Sequence, residues 1–301
     1  MTGEPWAGWY RDREGSVAVT FTADGRRLRT RIRGVGFEGD SFDALDPVAA
    51  LPADGAGFTL SGGSLCDCVF EWDIPMPVYA DGRVHRAVLS CLLALGRPLP
   101  SGGIDREHLA LALHFDGAVY ASERAENDFE RALTVIQRRL PTGAYLRACI
   151  SCAFSDYHPS GSGLFGNLAC FRRTKDEYRA VGGERELFEL WDLRSGFVQE
   201  TWACPDFERR PARGPGTGYR GAFPYVREEA AGAAPGGGRR SPWPRRRPAR
   251  RVRVSFRGSG PVIPAHERRT GEAAAAALPS PSGVLGRSPG PARGGMGVYV
   301  G

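Results

Sequence analysis

Three Asp-Gly pairs constrain the fold of this chain more than any other feature: Asp24-Gly25, Asp81-Gly82 and Asp116-Gly117. The first lies between Val17 to Thr22 and Arg27 to Ile32, runs in which apolar and polar residues alternate. Alternation marks a strand with one buried face, because successive side chains point to opposite sides. A tight turn between such strands needs positive φ at its centre, which Asp-Gly supplies at little cost. Three such turns predict an antiparallel sandwich or barrel. A further run, Cys66 to Ile74, puts Cys66, Cys68, Phe70, Trp72 and Ile74 on one face, with Asp67, Glu71 and Asp73 on the other. Asn127-Asp-Phe-Glu130 then reads as a capping box with Asn127 as the cap. Phe129, Leu133, Ile136 and Leu140 follow at helical spacing, and Pro141 stops the helix.

Beyond this helix the pattern changes. A short strand is expected from Ala144 to Ile150, leading into the knuckle Cys149-Ile-Ser-Cys152, and then a Ser/Gly/Pro-rich loop from Ser155 to Gly166. A second capping box, Thr174 to Glu177, opens a short helix that Gly182-Gly183 ends. Glu184 to Leu193 reads as another helix with Leu187, Leu190 and Trp191 on its buried stripe, and Phe197 to Cys204 as a strand. The predicted fold class is therefore α+β. An N-terminal antiparallel β-sandwich-like domain with one helix spans 1–143, a small α+β Cys-rich unit spans 144–221, and a disordered basic tail spans 222–301.

Charge separates the tail from the body. The chain carries a net charge of +6, but residues 222–301 hold 14 arginines and four glutamates. The tail is thus at +10 and the body at −4. Eight arginines fall between Arg239 and Arg253, broken by Pro242, Pro244 and Pro248. A segment so poor in large apolar residues cannot offset its chain entropy, so disorder is expected there. Nonspecific, salt-sensitive nucleic-acid binding is expected only through this tail. No window approaches the roughly 18 apolar residues of a membrane span, so no membrane partner is expected and the cytoplasm is the expected location. Thiols stay reduced there, and seven cysteines, an odd number, do not make a fully paired disulfide framework.

Cys149, Cys152, Cys170 and Cys204 are the candidate site. Zn²⁺ takes four soft ligands in a tetrahedron, and a C-x₂-C turn supplies two of them. His158 is an alternative ligand, and Arg147, Arg172, Arg173 and Arg209 are near enough in sequence to balance thiolate charge. Buried free thiols are the competing reading. Cys66, Cys68 and Cys91 read as core, since free cysteine packs as a small hydrophobe. Cys152 with His158 is a candidate nucleophile and base. Against that, Ser155 and Asp156 read as caps on turn amides. Gly216-Thr-Gly218-Tyr-Arg-Gly221 matches a dinucleotide fingerprint in letters only, because it precedes Ala-Phe-Pro224 and opens no helix.

The residues Cys149-x-x-Cys152-x-x-Ser155-Asp156-Tyr157, Gly163-Leu-Phe165-Gly166, Cys170-Phe171, Lys175 and Tyr178 resemble an uncharacterised bacterial family known only as a domain of unknown function. Gln199-Glu200-Thr201, Cys204 and Gly216 to Gly221 continue the likeness. It is specific over about 145–221 and looser around Arg27 to Phe42 and Cys66 to Pro77. The resemblance implies that the four cysteines belong to one motif set, and it implies no catalytic residue. Three function classes follow. The first is a non-enzymatic binding or interaction module with a structural zinc and an unidentified protein partner. The second is a hydrolase-type enzyme centred on Cys152 and His158. The third is nucleic-acid binding through the tail.

Overall fold

The structure, a computed structural model, describes residues 3–51, 57–122, 128–161, 163–211 and 223. The predicted tail apart from Phe223, the Gly216 to Gly221 motif and Asn127 lie outside the described residues.

Two meanders build the main sheet. The first runs through β1 (Trp6–Asp12), β2 (Gly15–Ala23), β3 (Leu28–Ile32), β4 (Val35–Gly39) and β5 (Asp46–Pro47). β6 (Thr59–Ser61) and β7 (Ser64–Cys66) form a separate hairpin. The second meander is β8 (Cys68–Ala80), β9 (Arg83–Leu95), β10 (Glu107–Phe115) and β11 (Ala118–Ala121). After α1 (Phe129–Arg139), β12 (Tyr145–Leu146) returns to the sheet. The strand order is β11-β10-β9-β8-β1-β2-β3-β4-β5, with β12 beside β8. Every pairing is antiparallel, as the turn chemistry predicts. A smaller three-stranded sheet joins β13 (Ser155–Asp156), β14 (Leu168–Cys170) and β15 (Gly196–Val198), with α2 (Lys175–Arg179) and α3 (Glu184–Leu190) between the last two.

The turns explain the register. Asp81 and Gly82 sit at φ +50° and +78°, and Asp116 and Gly117 at +49° and +72°. Two successive left-handed residues make the turn whose twist suits a hairpin. Arg33-Gly34 makes a third such turn, at φ +48° and +85°, which the sequence does not advertise because arginine is a poor left-handed residue. Its guanidinium is bound by the Asp12 carboxylate and lies 5.5 Å over the rings of both Tyr10 and Phe58. Asp24-Gly25 behaves differently. It belongs to a longer loop in which the Asp24 carboxylate accepts from the amides of Arg26 and Arg27 at 3.0 and 2.8 Å.

β8 is longer than the Cys66 to Ile74 expected. Asp67, at φ +50°, separates Cys66 from the strand, and β8 then continues through Pro75 and Pro77 to Ala80. Proline costs a sheet one donor, so its place in a central strand needs a reason. β9 pairs β8 along its whole length, Cys68 with Leu95 through Ala80 with Arg83. On the opposite edge β1 covers only Val69 to Trp72, and β12 only Val78 and Tyr79. The Pro77 carbonyl accepts the Arg147 amide on this edge, so by alternation Pro75 faces the interval between β1 and β12. The missing N–H groups fall where β9 does not need them.

The main core gathers at Phe42. Its ring centroid lies 4.0 Å from that of Trp72, 5.3 Å from Phe21 and Phe165, and 6.3 Å from Phe129 at the start of α1. The same core takes in Leu146, Ile150, Tyr157, Phe165 and Leu168, so residues before and after α1 share it. A second cluster of Phe154, Phe171, Tyr178, Leu187 and Leu190 lies under α2 and α3. α1 is capped by Asp128, one residue later than expected, its carboxylate accepting the Arg131 amide at 2.7 Å.

Three local expectations change. The strand predicted over Ala144 to Ile150 is only two residues long and is followed by a 3₁₀ turn at Cys149–Ser151. The predicted Phe197 to Cys204 strand ends at Val198, because Trp202 N–H turns back to the Gln199 carbonyl at 3.1 Å. The Thr174 hydroxyl makes no cap bond to α2. It donates instead to the Phe171 carbonyl at 3.4 Å.

Candidate functional site

The segment after β15 brings Cys204 to the knuckle. Cys149 N–H donates to the Trp202 carbonyl at 2.9 Å and Ile150 N–H to the Glu200 carbonyl at 3.0 Å. Cys152 bridges Arg209 further on. Cys170 ends β14, whose partner β13 follows the knuckle directly. All four cysteines are reduced and buried. Each of the six sulfur pairs is close enough that charge on one perturbs the other. The sequence-predicted set therefore converges on one region. Among the described residues, however, no three histidine, cysteine or acidic side chains stand at the spacing of a shared metal ion.

The four thiols are electrostatically unequal. Cys149 donates its S–H to Cys204, which raises the Cys149 thiol, and burial and the neighbouring sulfurs raise it further. The same bond lowers Cys204 to about 6 against the opposing effect of burial, with help from the Asp206 amide and the Arg172 guanidinium 3.9 Å away. Burial raises Cys152, opposed by the amides of Phe154 and Glu208, and raises Cys170, opposed by the Arg172 amide. The amides of Phe154, Arg172 and Asp206, each two residues on from Cys152, Cys170 and Cys204, thus act in favour of the thiolate there.

Neighbouring polar groups brace this region. The Ser155 hydroxyl donates to the carbonyls of Cys149 and Cys152 at 2.6 and 3.2 Å, so it ties the knuckle rather than capping amides. Asp156 accepts from its neighbour's amide and from the Tyr178 hydroxyl, both at 2.9 Å. Buried Arg210 donates to the Cys152 carbonyl at 3.0 Å and to the Tyr178 hydroxyl at 3.3 Å. His158 packs against Phe188 and Trp191, with ring centroids 5.1 and 4.7 Å away, and its Nδ1 faces the Ser160 amide. No hydrogen bond joins it to Cys152 among the described residues. Arg172 pairs Asp206 at 3.6 Å, while Arg147 and Arg209 lie over the rings of Phe207 and Tyr145. Cys68 and Cys91 are buried in the main sheet and Cys66 in the β6–β7 hairpin.

Glu200 was only one letter of the motif in the sequence. In the structure it is 1% exposed, accepting from the Gly166 amide at 2.7 Å, the Tyr157 hydroxyl at 3.1 Å and the Asn167 amide at 3.4 Å. Burial raises its carboxyl to about 7 despite these donors. An open cavity of about 340 Å³ lies where β1 departs from β8, walled by Trp6, Ile74, Met76, Arg86 and Trp202. Trp202 is held flat against the Asp24-Gly25 loop, where a Cβ on Gly25 would come within 2.7 Å of its ring.

Fold and site together define a mostly antiparallel β protein with a buried cluster of four thiols braced by a polar network. A model of a family of unknown function (DUF6304) matches residues 4–155, just over half of the chain, and the chain belongs to that family. The match runs from β1 to the start of β13. It includes Cys149 and Cys152, the start of the stretch from about 145 to 221 where the sequence likeness is most specific, and the rest of that stretch lies beyond the match. No curated protein and no solved structure matches the chain. No helix among the described residues is long and apolar enough to cross a membrane.

Proposed function

We propose that this protein is a binding or interaction module, not an enzyme, in which Cys149, Cys152, Cys170 and Cys204 hold a structural zinc ion. The observation that supports this reading is the gathering of four buried thiols in one region, with the Arg172 guanidinium 3.9 Å from the Cys204 sulfur. Four thiolates on Zn²⁺ leave a net charge of −2, and Arg172 beside Cys204 supplies a compensating cation. The sulfurs would have to close onto the ion, to bonds of about 2.3 Å. Four protein ligands leave no open position for catalysis. The packing of His158 against Phe188 and Trp191 argues against a Cys152–His158 dyad. Seven reduced thiols suit a reducing compartment such as the cytoplasm.

Elemental analysis of protein purified without chelator tests the reading. About one zinc per chain is expected, and Cys152→Ser should lower that occupancy. Structural zinc contributes on the order of 10 kcal/mol in small peptides at neutral pH, so the loss should expose 144–211 to proteolysis before the main sheet. Metal-free protein whose stability is unchanged by Cys152→Ser would leave the four cysteines as ordinary buried thiols.

A further inference from the structure

The cavity beside β8 exists because the main sheet has a gap there. β1 pairs β8 only as far as Trp72, and β12 joins the same edge only at Val78. Pro75 lies in the interval and lines the cavity. It brings no N–H to that edge, and its carbonyl, which faces the interval, has no strand partner there. At about 340 Å³ the space is at the small end of ligand pockets. Its walls are mostly apolar and rigid. Trp6, Ile74, Met76 and Trp202 supply apolar surface, and Pro75 and Pro77 supply fixed rings. Two glycines hold Trp202 in place: an added Cβ would lie 3.0 Å from its ring at Gly3 and 2.7 Å from it at Gly25. Among the described residues neither the Trp6 nor the Trp202 indole stacks on another aromatic ring or carries a cation.

Few polar groups meet this space. Thr201 lines it, is 3% exposed, and has a hydroxyl with no hydrogen-bond partner among the described residues. A buried hydroxyl without a partner is costly, and a ligand group reached by rotation about χ1 would relieve that cost. The full charges in the lining are already matched, because Arg86 pairs Glu4 at 3.2 Å. His85 donates its Nε2–H to the Ala80 carbonyl at 3.2 Å. An ion entering the cavity would lose its water without meeting an unpaired counter-charge. A neutral hydroxyl compound would lose less, and would find an acceptor in the Pro75 carbonyl and a partner in Thr201. Flat walls of indole and proline suit a flat ring, which has no chain torsions to immobilise on entry.

We propose that this cavity is a binding site for a neutral aromatic small molecule bearing a hydroxyl, with the ring against Trp6 and Trp202 and the hydroxyl on Thr201. It gives the binding module proposed above a small-molecule ligand, at a site whose lining includes none of the four thiols. Zinc is assayed on the same samples. Ligand bound to metal-free protein would overturn only the zinc assignment, and one zinc per chain without bound ligand only this one.

Equilibrium dialysis of the full chain against 2-naphthol tests the site. Saturable binding of one 2-naphthol per chain is expected. Val84→Trp places a large ring at an exposed position of the lining and should weaken binding roughly tenfold or more by filling the mouth. Ala203→Trp, exposed on a different segment of the lining, repeats the block in case Val84→Trp lowers the melting temperature. Thr201→Val keeps the shape of the side chain. It should weaken 2-naphthol binding about threefold to tenfold and leave unchanged the binding of naphthalene, which has no hydroxyl. The charged analogue 2-naphthoate and the flexible alcohol decanol should each bind roughly tenfold more weakly than 2-naphthol. Absence of saturable 2-naphthol binding overturns the proposal, as does binding that neither tryptophan variant reduces. Binding of 2-naphthoate or decanol as tight as that of 2-naphthol overturns it too, since the cavity would then be an anion site or an acyl-chain site. An equal effect of Thr201→Val on 2-naphthol and on naphthalene overturns the assignment of the hydroxyl to Thr201. Thermal melting of each variant separates a blocked cavity from lost folding.

Discussion

Glu200 makes stability depend on pH in a direction opposite to that of most carboxylates. Its folded carboxyl is raised to about 7 by burial, against an ordinary value of 4.5. Between those values the native state holds a proton that the unfolded chain releases. Stability is therefore fully present below about pH 4.5, falls as pH rises toward 7, and levels off above it. The difference of about 2.5 units corresponds to roughly 3 kcal/mol at 1.36 kcal/mol per unit. Glu200→Gln cannot ionise and isolates the effect. Its carbonyl keeps an acceptor for the Tyr157 hydroxyl and the Asn167 amide, while its amide nitrogen opposes the Gly166 N–H. That lost bond costs about 1–3 kcal/mol at every pH. Urea unfolding at pH 5, 6, 7 and 8, followed by tryptophan fluorescence, should show wild type losing roughly 2.5 kcal/mol relative to the variant between pH 5 and pH 8, so that the variant's deficit at pH 5 closes or reverses by pH 8. A gap that is constant or widens with pH would refute the assignment of a neutral, buried Glu200 below neutrality.

Two further outcomes rest on the core and on a helix end. Phe42→Ala should destabilise by about 3–5 kcal/mol in denaturant unfolding, because the ring is fully buried among five other aromatic rings that cannot collapse into its place. Asp128→Ala should cost about 1 kcal/mol by the same measurement, since its carboxylate caps α1.

Hairpins were legible because their chemistry is local. Asp81-Gly82 and Asp116-Gly117 write their φ values in their own side chains. Arg33-Gly34 does not, because what holds Arg33 in place is Asp12, which is remote in sequence and near only after folding. The passage of β8 through Pro75 and Pro77 was hidden for a related reason: which edge a proline faces depends on what neighbours that edge. The four cysteines could be grouped by spacing and chemistry; the fold brings them into one region, but among the described residues no three of them stand at the spacing of a shared ion. The inequality of Cys204 was not visible, since it comes from the Cys149 S–H, the Asp206 amide and Arg172 meeting at one sulfur. Glu200 was opaque because nothing in a sequence distinguishes a solvated glutamate from one enclosed by Gly166, Asn167 and Tyr157.

The sparse seam between β1 and β8 orders the assembly of the chain in time. Within each meander, strands join chain neighbours and close short loops. Among the described residues the only strand pairing between the two meanders is Gly8 to Arg11 with Val69 to Trp72, across some 60 residues. Closing a loop of that length costs about 2 kcal/mol more than the shortest closures, so the halves take shape before they join. During that interval the seam edge of β8 is uncovered, and an uncovered edge is a template for another chain. Pro75 and Pro77 remove two donors from that edge, leaving a poor surface for a neighbouring copy to pair with on the ribosome or at high concentration. The same two residues that interrupt the finished sheet guard the unfinished one against intermolecular pairing.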